Sequence, residues 1–260
     1  MAAKSSDGGL WETIKTIVYA LLLAVFFRTL FFQPFYIPTG SMKPTLLIGD
    51  FLFVNKMAYG YAAVSCPFEI CPIEGRLLGS APERGDIVVF RHPTNGQDFI
   101  KRLIGLPGDT IQMVDGRIIL NGEPVPQEPA GVFTEPFREV RGNFPGCANR
   151  PVPLGGDCMK SAYTETLPNG VSYTVLDFED RLTDNTGVFT VPEGQYFLMG
   201  DNRDNSQDSR VSARAGGVGF VPEENLIGRA RHVVFSAEGN SLFAVWTWRL
   251  DRFFVTVGPS

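Results

Sequence analysis

Ser41 lies in PFYIPTGSMKPTL, residues 34–46, between Pro38 and Gly40 on one side and Pro44 on the other. Pro38 fixes its own φ and biases Ile37 towards an extended form, Gly40 frees the chain to turn, and Pro44 restricts the residues before it. The serine is therefore presented in one orientation at a bend, although most serines in such turns are turn residues and nothing more. To act as a nucleophile it needs a group that takes its proton, and histidine is the usual one. The two histidines, His92 beside Pro93 and His232 within a late strand, show nothing resembling a triad. Lysine is the other recognised partner. Lys101 interrupts DFIKRLIG, residues 98–105, where strand alternation puts Phe99, Lys101 and Leu103 on one face. On a buried face an ammonium loses stability, so its pKa falls and it becomes a base. At the ordinary value only about one lysine in a few thousand is neutral at pH 7. The competing reading makes Lys101 and Arg102 surface charges on a strand edge.

A third stretch, GDNRDNSQDSR at residues 200–210, is dense in hydrogen-bonding side chains directly after a strand-like run. Its carboxylates and amides suit a calcium-type loop, but the interspersed arginines neutralise such a site. A self-paired network fits better, with Asp208 and Arg210 bracing the loop. Neither histidine has Cys, Asp or Glu at ligand spacing, so no metal site is expected. The net charge of -5 and the absence of a clustered basic face argue against nucleic acid. The four cysteines, Cys66, Cys71, Cys147 and Cys158, lack zinc-knuckle spacing. Two short bridges, Cys66–Cys71 and Cys147–Cys158, are the simplest of three pairings and suit an oxidising compartment, while four buried thiols suit a reducing one.

These residues must be positioned by the rest of the chain. Residues 1–10 read as a disordered polar cap. Residues 11–33 read as a transmembrane anchor, apolar over about the 20 residues a bilayer needs. A cleaved leader is the rival, but no small-x-small pattern follows the apolar core. Lys4 lies before the span and Lys15 near its start, which puts the N-terminus in the cytoplasm and the remainder outside. Residues 51–55, 86–91 and 195–200 are strand-like. Residues 110–114 and 117–120 flank Asp115-Gly116, a type I′ hairpin signal. Residues 121–190, rich in Pro, Gly and Asn, read as an inserted irregular β subdomain. The aromatic, arginine-bearing residues 242–254 either lie at a membrane interface or form a closing strand.

The stretches IPTGSMKPTL (37–46), FIKRLIGLPGD (99–109) and GDNRDNSQDSR (200–210) resemble, in order, the signature boxes of bacterial type I signal peptidase (leader peptidase), behind an N-terminal anchor as in that family. The resemblance implies a mainly β, membrane-anchored, β-barrel-like catalytic domain over residues 34–260 on the periplasmic face of the inner membrane. It implies a serine endopeptidase that removes signal peptides from exported preproteins after a small-x-small site, with no cofactor. By motif position Ser41 is the nucleophile and Lys101 the general base. Thr39 and the Ser41 amide are the oxyanion donors, Ser206 orients the lysine, and Asp208 with Arg210 is a structural ion pair. Phe35, Ile37, Leu46, Phe99 and Ile100 align with residues lining shallow apolar substrate pockets. Residues 66–83 and 121–190 depart from a minimal member of the family. A self-cleaving repressor-type peptidase shares the Ser/Lys chemistry but is cytosolic and carries a DNA-binding module. A tethered binding domain would make no joint demand on Ser41 and Lys101.

Overall fold

A computed structural model describes residues 7–66, 72–140, 142–238 and 244–258. The expected disordered cap falls largely outside them. The first element, α1 (Asp7–Leu30), is a 24-residue helix. Within it Gly9–Phe26 has a mean hydropathy of 1.5 and none of it is buried against the protein, so it is long and apolar enough to cross a membrane. The helix ends sooner than residue 33. Phe32–Tyr36 is already strand β1, because Pro34 cannot continue a helix and β2 (Asp50–Asn55) supplies an antiparallel partner.

After β2 come β3 (Ile87–Arg91) and β4 (Asp98–Gly105), which pair with each other. β3 reads as an unbroken apolar run because both its faces are covered. Ile87 and Val89 enter one core cluster with Ile37, Met42 and Leu46, while Val88 and Phe90 enter another with Tyr59 and Leu103.

The chain then leaves this sheet. The hairpin β5 (Thr110–Val114) and β6 (Arg117–Leu120) turns at Asp115 and Gly116, whose φ values of 48° and 73° are those the type I′ signal requires. With β7 (Glu123–Pro124) and β11 (Phe189–Thr190) it makes a four-stranded sheet. Between them β8 (Gln127–Pro136), β9 (Asp157–Thr166) and β10 (Ser172–Asp177) form a three-stranded antiparallel sheet. Residues 121–190 are thus more regular than their composition suggests. Their Pro and Gly fall mainly in the connections, and exposed β8 hides its strand character by lacking a buried face. The bridge Cys147–Cys158 spans the connection between β8 and β9. The Cys66–Cys71 pairing reaches residues outside the described set.

The chain returns through β12 (Gln195–Met199), β13 (Val221–Pro222), β14 (Leu226–Ser236) and β15 (Val255–Thr256). The main sheet is a curled half-barrel in the order β1-β2-β14-β3-β4-β12-β13, with β15 on β14. The described part of residues 242–254 is not the closing strand expected: it carries two short 3-10 turns, Val245–Thr247 and Leu250–Arg252. Trp248 and Phe253 pack on Phe235, whereas Trp246 and Phe254 are exposed. Its arginines turn inward: Arg252 pairs with buried Asp50 and donates to Thr45 O at 3.0 Å, and Arg249 donates to Ile48 O at 2.6 Å. The segment therefore buttresses the loop that carries Ser41.

Candidate active site

The Ser41 loop leaves β1 and returns to β2. It is pinned at its neck by Ile37 N–H to Asp50 O (2.9 Å) and Gly49 N–H to Ile37 O (3.0 Å). Met42 and Leu46 are buried in the core and hold the loop down. From β4, Lys101 reaches Ser41, with Nζ 2.7 Å from Oγ and 3.0 Å from the Ile100 carbonyl. Both residues are buried, at 7% exposure for Ser41 and 4% for Lys101. Burial pushes the lysine down to about 8; the Asp208 and Asp201 carboxylates pull it upward and the Arg210 charge adds to the lowering.

The third stretch is the clamp. Asn202 donates its backbone N–H to Ser41 O at 3.0 Å and its side-chain amide to Gly40 O at 2.9 Å. This close approach is what Gly200 permits: a Cβ there would stand 2.6 Å from Ser41 O and 2.3 Å from Ser206 Oγ. Asp201 joins all three stretches. It accepts from Arg102 through Nε (2.8 Å) and Nη2 (2.7 Å), and from the Thr45 hydroxyl at 2.5 Å. Lys101 and Arg102 are therefore neither of them surface charges; one faces the serine and the other the clamp.

Asp208 and Arg210 form a buried two-pronged ion pair, Nε–Oδ1 at 2.9 Å and Nη2–Oδ2 at 3.0 Å. Burial alone would raise the Asp208 carboxyl, but the Arg210 charge and the Gly200 N–H hold it below its ordinary value. Ser206 stands beside Gly200 with its hydroxyl buried, and it makes no hydrogen bond to Lys101. Thr39 is exposed at the rim, and among the described residues neither its hydroxyl nor the Ser41 amide donates elsewhere in the protein.

Ser41 and Lys101 open into a cleft of about 590 Å³. Of the five expected pocket residues only Phe99 lines it; Ile37, Leu46 and Ile100 lie in the core beneath, with Phe35 packed against them. The far wall comes from β8 and the residues after it, including Phe133, Glu135 and Phe144. Glu135 binds Lys43, two residues from the serine, and also Lys160 at 2.6 Å. Arg138 pairs with Glu238 across the same cleft. Sequence reasoning missed Glu135, Asn202 and Asp201. The last two stood inside a quoted stretch and had only a loop-bracing meaning until the fold brought Ser41 beside them. No histidine lines the cleft, and His92 is held by Gly217 O at 3.0 Å and Thr94 N–H at 3.2 Å.

A buried hydroxyl hydrogen-bonded to a buried lysine, at the base of an open cleft in a curled β-sheet, has the geometry of a serine hydrolase that uses lysine in place of histidine. Comparison with known proteins agrees. Residues 10–235 match the family model for signal peptidase, peptidase S26. Signal peptidase I of Rickettsia typhi is 41% identical over 239 residues, 87% of this chain and 81% of the relative. That of Rickettsia prowazekii is 40% identical over 243 residues, 87% of this chain and 82% of the relative. A crystal structure of signal peptidase I from Enterococcus faecalis shares 28% identity over 58% of this chain and 97% of that one, with a TM-score of 0.30, a superposition too poor to bear on the fold. The chain belongs to the signal peptidase family, peptidase S26, and is a serine endopeptidase.

Proposed function

We propose that the enzyme cuts exported preproteins after a small-x-small site, with Ser41 as nucleophile and Lys101 as general base. The observation that carries this reading is the 2.7 Å contact between Lys101 Nζ and Ser41 Oγ in a buried setting. With its pKa near 8, about one lysine in ten is neutral at pH 7, several hundred times more than at the ordinary value. Neutral Nζ takes the Ser41 proton as Oγ attacks the scissile carbonyl. The ammonium so formed protonates the departing amine, and water then releases the acyl group from Ser41 by the same proton traffic in reverse. Thr39 Oγ1 and the Ser41 amide, which have no competing acceptor, stabilise the oxyanion, at a few kcal/mol each. Ser206, buried beside Gly200, is the group that orients Lys101, and Asp208–Arg210 keeps the clamp in shape. Phe99 is the surface against which the small side chains pack, and the buried Ile37, Leu46 and Ile100, with Phe35, fix the backbone around it.

In this reading α1 anchors the enzyme in the inner membrane with its N-terminus in the cytoplasm. The catalytic domain then stands on the outer face, where signal peptides emerge and where the Cys147–Cys158 bridge is stable. The test is processing of a preprotein by wild type, Ser41→Ala and Thr39→Val. Ser41→Ala is expected to be inert and Thr39→Val to lose about a hundredfold in kcat with KM little changed. Cutting by Ser41→Ala at the wild-type rate contradicts the assignment.

A further inference from the structure

The hairpin of β3 and β4 places a histidine behind the wall of the cleft. Phe90 of β3 stands directly opposite Phe99 of β4, and the pairing continues past the strands through His92 N–H to Gln97 O at 2.8 Å. Alternation then brings the His92 ring diagonally against Phe99, with centroids 4.7 Å apart, while the Phe90 ring lies 6.2 Å from it. Phe99 is half-buried and lines the cleft, whereas His92 is 4% exposed and does not. Phe99 also neighbours the reacting pair, with Lys101 Nζ 5.6 Å from its ring centroid. A substrate side chain next to the scissile bond therefore meets Phe99, and Phe99 rests on His92 and Phe90.

The imidazole is fixed through both of its nitrogens. Nδ1 accepts from the N–H groups of Thr94 (3.2 Å) and Asn95 (3.4 Å), which leaves Nε2 to donate to Gly217 O at 3.0 Å. Gly217 is itself closely packed: a Cβ there would stand 2.2 Å from Val211 O. The next residue, Val218, bonds its N–H to Asp208 O at 3.1 Å, inside the clamp. A buried polar ring needs partners for its nitrogens, and those partners give it one orientation, which an aliphatic side chain in the same space would lack. We propose that His92 is a positioning residue for substrate selection: it holds the Phe99 ring in place so that the cleft beside Ser41 stays too shallow for side chains much larger than alanine. This inference rests on the reading of Ser41 and Lys101 as the reacting pair and of Phe99 as the surface that substrate meets.

The experiment measures kcat/KM of the full chain in detergent on two preproteins that differ only in alanine or valine at the residue before the cut. Wild type is expected to prefer alanine. His92→Asn keeps a side-chain oxygen to accept from the Thr94 N–H but removes the ring. It should reduce the preference about tenfold, the scale on which one or two methylenes are discriminated, and Phe99→Leu should relax it likewise. His92→Phe keeps a ring and loses the hydrogen bonds, so it should lower Tm yet retain most of the preference. A histidine that only held the fold together would, when replaced, cost Tm and activity on both preproteins in equal proportion. An unchanged ratio in folded His92→Asn therefore overturns the proposal, and so does a ratio relaxed as far in His92→Phe as in His92→Asn. If His92→Asn does not fold, His92→Gln, which can still donate to Gly217 O, is read in its place. A ratio unchanged in Phe99→Leu as well removes Phe99 from the substrate surface. Absence of cutting, or of any alanine preference, in wild type contradicts the proposed function itself.

Discussion

Lys101 is placed where charge is least welcome, which is what the proposed role of general base requires. The protein holds it at about 8, against 10.5 for a free side chain, mainly through burial. Between those values the unfolded chain binds more protons than the folded one, so stability rises with pH across that window and the full penalty applies below pH 8. The gap corresponds to about 3 kcal/mol. Lys101→Met removes the proposed base together with the penalty. We expect that variant to lose at least about a thousandfold in kcat, with a Tm at pH 7 no lower than wild type. Lys101→Arg should fail as completely, since guanidinium does not give up its proton, and it should also lose Tm because it buries a permanent charge. Calorimetry beside a cleavage assay checks both.

At the scale of elements, the site is a loop held between a strand and a clamp. β4 supplies Lys101 to one side and Arg102 to the other, and the clamp after β12 grips the Ser41 loop through Asn202 and Asp201. Gly200→Ala must move the Ser41 carbonyl or the Ser206 side chain, so kcat should fall well before KM changes; steady-state kinetics separates the two. Asp208→Asn strips the counter-charge from buried Arg210 and should destabilise the fold by about 3–5 kcal/mol, measured by denaturant unfolding. Away from the site, Cys147→Ser opens a short loop between β8 and β9, 11 residues apart, and should lower stability by about 2–3 kcal/mol without altering the pH profile. Strand alternation and turn chemistry made the β5–β6 hairpin, β3 and β12 legible in the sequence. β8 was not, because alternation signals a half-buried strand and β8 is exposed on both faces for most of its length.

At the scale of the molecule, the excursion from β5 to β11 returns to wall off the cleft opposite Ser41 and Lys101. Glu135 draws Lys43 and Lys160 together; burial alone would raise its carboxyl, but the two ammonium groups hold it below its ordinary value. Glu135→Gln leaves two lysines facing each other beside the serine, and we expect both lower stability and a fall in kcat/KM. The exposed Arg138–Glu238 pair should contribute under about 1 kcal/mol to stability, so Arg138→Ala changes access to the cleft more than it changes Tm. Ser41, Lys101, Asp208 and Arg210 could be picked out because each stands in a dense local motif. Glu135 could not, since its partners lie 92 and 25 residues away and only the fold joins them. Phe35, Ile37, Leu46 and Ile100 show the converse: their apolar character is equally that of core, and packing, not residue type, decides which residue meets the cleft.

The most direct measurement is cleavage of a preprotein by full-length wild type and Lys101→Met from about pH 6 to 10, with EDTA present throughout. The account predicts cutting after a small-x-small site by wild type alone, with kcat rising about tenfold per pH unit to a plateau above an apparent pKa near 8. Equal cutting by both proteins, or a wild-type profile governed by a group near pH 6.5 as an imidazole would be, would contradict it.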